Sequence, residues 1–285
     1  MIRTICLIGF GEVGQMLAED LPSHPLTAWD VLFTDPASKP SRAVSSRGVM
    51  AGKSAEAAVA GAELVVSAVT AAQDVSAAKA AAAGLRKGAF FLDMNSASPE
   101  MKKQSADIIN GAGGRYVEAA VMAPVEPKRI ATPMLLGGPH AEEFLPLAEE
   151  IGFTGMKFFS ADYGKASAAK MCRSVMVKGI EALLTESMIA ARHYGVEQTV
   201  LDSLSDLFPV GDWPKLARYM ISRALEHGTR RAEEMREVAR TVSDAGLTPL
   251  LSSATAERQD WAAAHKQALE AQTLTDMLDR LLKDR

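Results

Sequence analysis

Three glycines near the start of the chain have the spacing of a phosphate cradle. Gly9-Phe10-Gly11-Glu12-Val13-Gly14 follows the apolar run at residues 5–8 and opens a helical stretch over residues 11–21. Glycine at the first position permits a tight turn. At the second it lets backbone approach a pyrophosphate, and at the third it lets a helix pack closely on its strand. A helix beginning there aims unpaired N–H groups and a partial positive charge at the phosphates. The motif alone is weak, because a ligand-free turn can use the same glycines. Its place at the first of several strand–helix junctions makes a dinucleotide site the expectation. Asp35 lies past an expected second strand at residues 31–34, about 20 residues after the glycines, where an acid binds the ribose 2′-hydroxyl and repels a 2′-phosphate. It favours NAD, whereas Lys39 and Arg42 just beyond are suited to NADP. Asp35-Pro36 is also a turn signal in its own right.

The elements that must position these groups are read from alternating apolar runs. Residues 5–8, 31–34, 64–69 and 89–92 read as strands, and 115–118, 134–137 and 156–159 as three more. Alanine-rich segments at 54–61 and 71–84 favour helix. Strand and helix alternating in this way predict an α/β domain of Rossmann type, a doubly wound parallel sheet covered on both faces. After Asp162 the pattern changes. Residues 164–194 contain no proline, and Met176, Ile180, Leu183 and Leu184 recur at helical spacing, which predicts one long helix. The remainder reads as helices broken near Pro209, Pro214, Gly228 and Gly246-Leu247-Thr248-Pro249. The expected organisation is a dinucleotide-binding domain over residues 1–161 and an all-helical substrate and dimerisation domain over 162–285. Leu201, Leu204, Leu207, Phe208 and Trp213 are its candidate partner surface.

Composition narrows the class. The 285 residues are 48% hydrophobic and 23% charged with a net charge of −4, which suits a globular protein able to bury a core without staples. Cys6 and Cys172 stand alone, and the five histidines are scattered, so neither a disulfide framework nor a metal site is expected. No basic stripe marks a nucleic-acid binder. No apolar run approaches the roughly 20 residues of a membrane helix, and no cleavable leader is visible. A cytoplasmic enzyme acting on a small molecule is the expectation.

Four segments in order resemble the 3-hydroxyacid dehydrogenase family, which includes 3-hydroxyisobutyrate and 6-phosphogluconate dehydrogenases. They are the glycine loop, Asp93-Met94-Asn95-Ser96-Ala97-Ser98-Pro99, Glu118-Ala119-Ala120-Val121-Met122-Ala123-Pro124 and Gly164-Lys165-Ala166-Ser167-Ala168-Ala169-Lys170. The resemblance covers about the first 195 residues. It implies that Lys170 is the catalytic group, that Asn95 and Ser96 contact the nicotinamide ribose and the substrate carboxylate, that Val69-Thr70 lines the cofactor, and that Met122 and Ala123 belong to the substrate loop. The chemistry is consistent: oxidising an alcohol requires a base for the hydroxyl proton, and a lysine with its pKa brought towards neutrality can serve. Arg173, at i+3, would lower that pKa, and Ser174, at i+4, would hydrogen-bond Lys170 or the substrate. The same Asn95–Pro99 segment also reads as a helix start with Pro99 at the first position.

The chain departs from the family at several points. Met122-Ala123-Pro124 replaces a glycine-rich loop, and Pro124 lacks a backbone N–H. Ser174 replaces the family asparagine, and Thr229-Arg230-Arg231-Ala232-Glu233-Glu234-Met235 occupies the region of a later Lys-Asp pair. These changes describe a divergent branch with its own C-terminal domain, in which Arg173, Arg230 and Arg231 would suit an anionic substrate. The expected activity is hydride transfer between NAD or NADP and a small hydroxy acid, by a homodimer. An imine reductase, in which such a lysine is commonly missing, and a dinucleotide sensor without catalysis are the competing readings.

Overall fold

The first half of the chain lays down strands, of which Ile5–Ile8, Leu64–Ser67 and Phe90–Asp93 are buried on both faces. In a computed structural model, which describes residues 2–207 and 211–283, the elements run β1 (Ile5–Ile8), α1 (Glu12–Asp20), β2 (Leu26–Trp29), α2 (Lys39–Ser46), β3 (Met50–Ala51), α3 (Ala55–Val59), β4 (Leu64–Ser67), α4 (Asp74–Ala82), β5 (Phe90–Asp93), α5 (Pro99–Gly111), β6 (Arg115–Val121), β7 (Met134–Gly137), α6 (Ala141–Glu150) and β8 (Met156–Ser160). Five helices come after them: α7 (Lys165–His193), α8 (Glu197–Leu207), α9 (Trp213–Asp244), α10 (Leu250–Ala264) and α11 (Leu274–Lys283). The strands form one eight-stranded sheet in the order β3-β2-β1-β4-β5-β6-β7-β8, parallel except between β6 and β7. Alternate residues feed two cores. Leu7, Val66, Leu92 and Val117 join one cluster, and Cys6, Val65, Phe91 and Tyr116 the other. That period of two on a doubly covered sheet explains why the strands read as unbroken apolar runs.

The register of the central strands brings their ends level. Ile8 pairs with Ser67, Ser67 with Asp93, and Asp93 with Glu118. The carboxyl ends of β1, β4 and β5 therefore share one edge of the sheet, where ligands bind in open α/β folds.

The structure corrects the placement of the second strand. The second strand is Leu26–Trp29, not residues 31–34, which form a short 3-10 turn capped by the Asp30 side chain. Only Ala28 of β2 is fully buried, so its composition is mixed and hides the strand. The apolar Val31 and Leu32 are exposed instead. The all-helical part begins with α7 at Lys165. The chain packs as two compact units, Met1–Met171 and Cys172–Arg285, divided within that helix. The first turns of α7 are buried within the first unit at Ala166, Ser167 and Met171.

The second unit has its own apolar core, which includes Leu184, Met188, Leu201, Trp213, Ile221, Leu225 and Leu278. Leu201 and Trp213 are interior, and Leu204 packs against the same core. They are not the exposed partner surface expected from sequence; the side chain of Leu207 and all of Phe208 lie outside the described residues. The expected break at Gly228 does not occur, since α9 runs straight through it. A Cβ there would lie 2.4 Å from the Gln259 carbonyl oxygen, so the glycine serves close packing of α9 on α10. Pro214 sits in the first turn of α9, where its missing N–H costs nothing. The break at residues 246–249 separates α9 from α10 as expected.

Candidate active site

The glycine turn divides its labour among three positions. Gly9 has φ +91°, and a Cβ on it would lie 2.4 Å from the Ala68 carbonyl oxygen. A Cβ on Gly14 would lie 2.2 Å from the Gly9 carbonyl oxygen, which fixes how α1 sits on β1. Gly11 differs: nothing lies within 4 Å of its added Cβ, it is exposed, and as N-cap of α1 it provides no side-chain cap. The first turn of α1 thus presents backbone N–H groups beside an open surface, which fits a pyrophosphate. Phe10 turns its ring into the core, and Glu12 points outward with Val13 half-buried.

Asp30, not Asp35, stands at the end of β2. Its carboxylate accepts from the Phe10 N–H at 2.7 Å, 20 positions away, and from the Leu32 N–H at 2.9 Å. Asp35 is exposed and caps its own turn by accepting from Ala37 N. The misplaced strand carried the acid with it. The signal that would have found Asp30 is its place directly after Trp29, the last residue of the true strand.

Beside the glycine turn, the end of β5 is fastened to the end of β4. The Asn95 amide oxygen accepts from Val69 N at 2.7 Å, and its NH2 donates to Ser67 Oγ at 3.0 Å and Asp74 Oδ1 at 2.6 Å. Asn95 is buried, with its side chain turned into the protein. The resemblance assigned it to ligand contact, but its amide ties the two crossovers together. Val69 is half-buried, Thr70 is exposed, and both come directly after β4 at this edge. Ser96, next in line, is half-buried.

Beneath this turn lies a polar network that sequence reasoning missed. Lys102 Nζ donates to Asp93 Oδ1 at 2.6 Å, Tyr116 Oη donates to Asp93 Oδ2 at 2.6 Å, and Ser105 Oγ donates to Asp74 Oδ2 at 3.0 Å. Asp74 and Asp93 also share a hydrogen bond. Burial first, and then the Asp93 carboxylate, push Asp74 up to about 8. Burial works to raise Asp93 as well, but Lys102 and the bond with Asp74 bring it below the ordinary range. Burial alone would lower Lys102, yet the two carboxylates hold it above its usual value. Near neutral pH the network is thus a protonated Asp74, an ionised Asp93 and a charged Lys102.

Lys170 arrives at the same place on α7. Its Nζ donates to Ser96 Oγ at 2.6 Å, and the residue is half-buried. Glu118 sets the start of that helix: its buried carboxylate accepts from Gly164 N at 2.7 Å and from Ser167 N. A carboxylate on the first turn satisfies orphan donors and complements the helix dipole. Glu118 lies within β6, which continues to Val121. Met122 and Ala123 come next and are half-buried, with Met122 N donating to Pro133 O. The loop beyond them is held to α1 by Arg129, which donates to Asp20, Glu19 and the Met16 carbonyl.

The remaining candidates fall in the second unit. Ser174 Oγ accepts from Lys178 Nζ at 3.3 Å instead of bonding Lys170. Arg173 is exposed. Arg231 is buried in an ion pair with Glu181, and Arg230 donates to Glu234 at 2.6 Å, so both guanidinium groups already have carboxylate partners. Among the described residues, no cluster of histidine, cysteine and acid is arranged to hold a metal ion, and no helix is long and apolar enough to cross a membrane.

Known proteins share both the sequence pattern and this architecture. The family described as the NAD-binding domain of 6-phosphogluconate dehydrogenase matches residues 4–154, and a domain of unknown function matches residues 191–262. A conserved hypothetical protein from Sinorhizobium meliloti 1021 is 35% identical, covering 100% of this chain and 97% of its own, with a TM-score of 0.77. The mitochondrial 3-hydroxyisobutyrate dehydrogenase of Drosophila melanogaster is 24% identical over 70% of this chain and 61% of its own length. A Mycobacterium tuberculosis 3-hydroxyisobutyrate dehydrogenase, solved with L-serine, shares the fold. It is 20% identical and covers 99% of both chains, with a TM-score of 0.72.

Proposed function

This chain belongs to the family of the NAD-binding domain of 6-phosphogluconate dehydrogenase, and on that premise we propose that it transfers hydride between a nicotinamide dinucleotide and a small anionic hydroxy acid, with Lys170 as general acid and base. The observation that carries this reading is the Lys170 Nζ–Ser96 Oγ bond of 2.6 Å, at the sheet edge that also holds the Gly9–Gly14 turn. The first turn of α1 and Asp30 would hold the dinucleotide, which would supply the hydride acceptor. Lys170, as the neutral amine, takes the hydroxyl proton when the alcohol is oxidised; as the ammonium, it returns a proton to the carbonyl oxygen in reduction. Ser96 orients the amine and offers its hydroxyl to the substrate. Asp30 supports NAD, because a carboxylate directly after the second strand would repel a 2′-phosphate. A hydroxy acid is favoured by the family and by the presence of a lysine suited to acid–base work, which an imine reductase does not require.

The test pairs binding with turnover. Lys170→Ala is expected to lower kcat about 10²- to 10⁴-fold on the right substrate, with L-serine and 3-hydroxyisobutyrate the first to assay. NADH affinity, read by fluorescence titration, should stay within about twofold, since removal of an acid–base group spares cofactor contacts. Unaltered turnover would remove Lys170 from the reaction. Turnover of a cyclic imine alone, insensitive to this substitution, would move the protein to imine reduction. Cofactor binding without turnover of either class would favour a sensor. The second unit is proposed to form a homodimer, supported by the exposed Leu247, Leu250 and Leu251 beside the start of α10. Both cysteines are free, which supports a reducing compartment such as the cytoplasm.

A further inference from the structure

We infer that Asp74 is a positioning residue for the Ser96–Lys170 pair: its carboxyl is a strut joining α4, α5 and the turn after β5. The inference rests on the proposed role of Lys170, but its geometry stands apart from that role. Asp74 accepts from Asn95 Nδ2 at 2.6 Å and from Ser105 Oγ at 3.0 Å, and it hydrogen-bonds Asp93. Asp93 in turn accepts from the Asn95 backbone N–H at 2.9 Å. Asn95 is thereby gripped at side chain and backbone, and Ser96, the next residue, holds the Lys170 amine. Two carboxyl groups can share a hydrogen bond only while one proton lies between them.

The charged and titratable groups facing Asp74 are known from each side. Asp93 comes from β5, Lys102 from α5 at 3.9 Å, and Tyr116 from β6, behind Asp93. Helix α3 also packs on α4, but its only charged residue, Glu56, is exposed beside Gly84, past the far end of α4. The single positive charge of Lys102 cannot balance two ionised carboxylates. Loss of the Asp74 proton would replace an attraction with a repulsion under the Asn95 turn.

Asparagine tests this directly, because it imitates the protonated acid: its NH2 can donate to Asp93 and its oxygen can accept from Asn95. The linkage has a definite sign. Asp74 holds its proton up to about pH 8 in the folded chain, against an ordinary value of 3.8. Its contribution to stability is therefore full at low pH and is lost as pH rises from about 4 to 8. Thermal melts of wild type and Asp74→Asn should diverge across that window, with the wild-type Tm falling more steeply, and run parallel above it. The same proteins carrying ¹³C-dimethylated lysines report on position, with the Lys170 signal identified by its loss in Lys170→Arg. Beside the inflection of the amine's own titration, that signal should show a second one near pH 8 in wild type, lose the second one in Asp74→Asn, and be displaced at every pH in Asp74→Ala. Parallel melts throughout would overturn the proton assignment. Divergent melts with identical Lys170 profiles in wild type and Asp74→Asn would overturn the positioning role. If both expectations hold while no hydroxy acid is turned over, the strut stands and the proposed reaction fails.

Discussion

Asp30 and Asp35 illustrate how much a single position decides. Both are acids near the right separation from the glycines, and both precede or follow turn-forming residues. Asp30 is bonded to Phe10 N, inside the glycine turn, whereas Asp35 is exposed and bonded to its own loop. Asp30→Ser keeps a capping oxygen for the turn but removes the charge. It should raise the NADP-to-NAD ratio of kcat/KM about tenfold or more, the scale of one well-placed charge. Asp35→Ser should leave the ratio unchanged. Steady-state kinetics with both cofactors on the two variants decide the matter, and the reverse pattern would restore Asp35. The place of Lys170 at the start of a long helix was legible through its heptapeptide and through the order of the segments before it. The bonding partners of Asn95 and Ser174 were not, because an amide or hydroxyl can point towards a ligand or into the protein with no change in sequence.

At the scale of elements, the glycine loop separates folding from binding. Gly14→Ala drives a Cβ to within 2.2 Å of the Gly9 carbonyl oxygen. Overpacking of this kind costs about 1–3 kcal/mol, so chemical denaturation should show a clear loss of stability. Gly11→Ala meets nothing within 4 Å. It should cost about 1 kcal/mol or less, the preference for glycine over alanine at an exposed N-cap. The same methyl group would intrude on the approach of a pyrophosphate, so the Kd for NADH should rise about tenfold or more. Equal effects on stability and affinity in the two variants would argue against a phosphate cradle. The strands of the sheet were legible where both faces are buried, as in β1, β4 and β5. They were not legible in β2, where one residue of four is fully buried, nor in β3, which is two residues long.

At the scale of the whole molecule, the first compact unit holds the glycine turn, Ser96 and Lys170, and the second has a separate core. If the second unit forms a homodimer through the exposed leucines at the start of α10, Leu250→Glu with Leu251→Glu should convert it to monomer. Each leucine is more than two-thirds exposed in the single chain, so the change should not disturb the fold of the monomer. Sedimentation equilibrium measures the outcome, and an unaltered mass would place any interface elsewhere.

From sequence alone came what depends on neighbouring residues: the glycine spacing, the doubly buried strands, the long helix through Lys170 and the change of class near residue 162. Those features are set by backbone freedom, apolar period and local propensity, all of which can be read along a line. Tertiary structure alone decided which partners polar groups found. Asp74, Asp93, Lys102 and Tyr116 are spread over four elements and meet only when the sheet and its helices close around them. Arg231, which from sequence would suit an anionic substrate, is instead buried against Glu181, 50 positions away. Removal from water makes a polar group seek whichever partner the packing brings, and that choice is not written in its sequence neighbours.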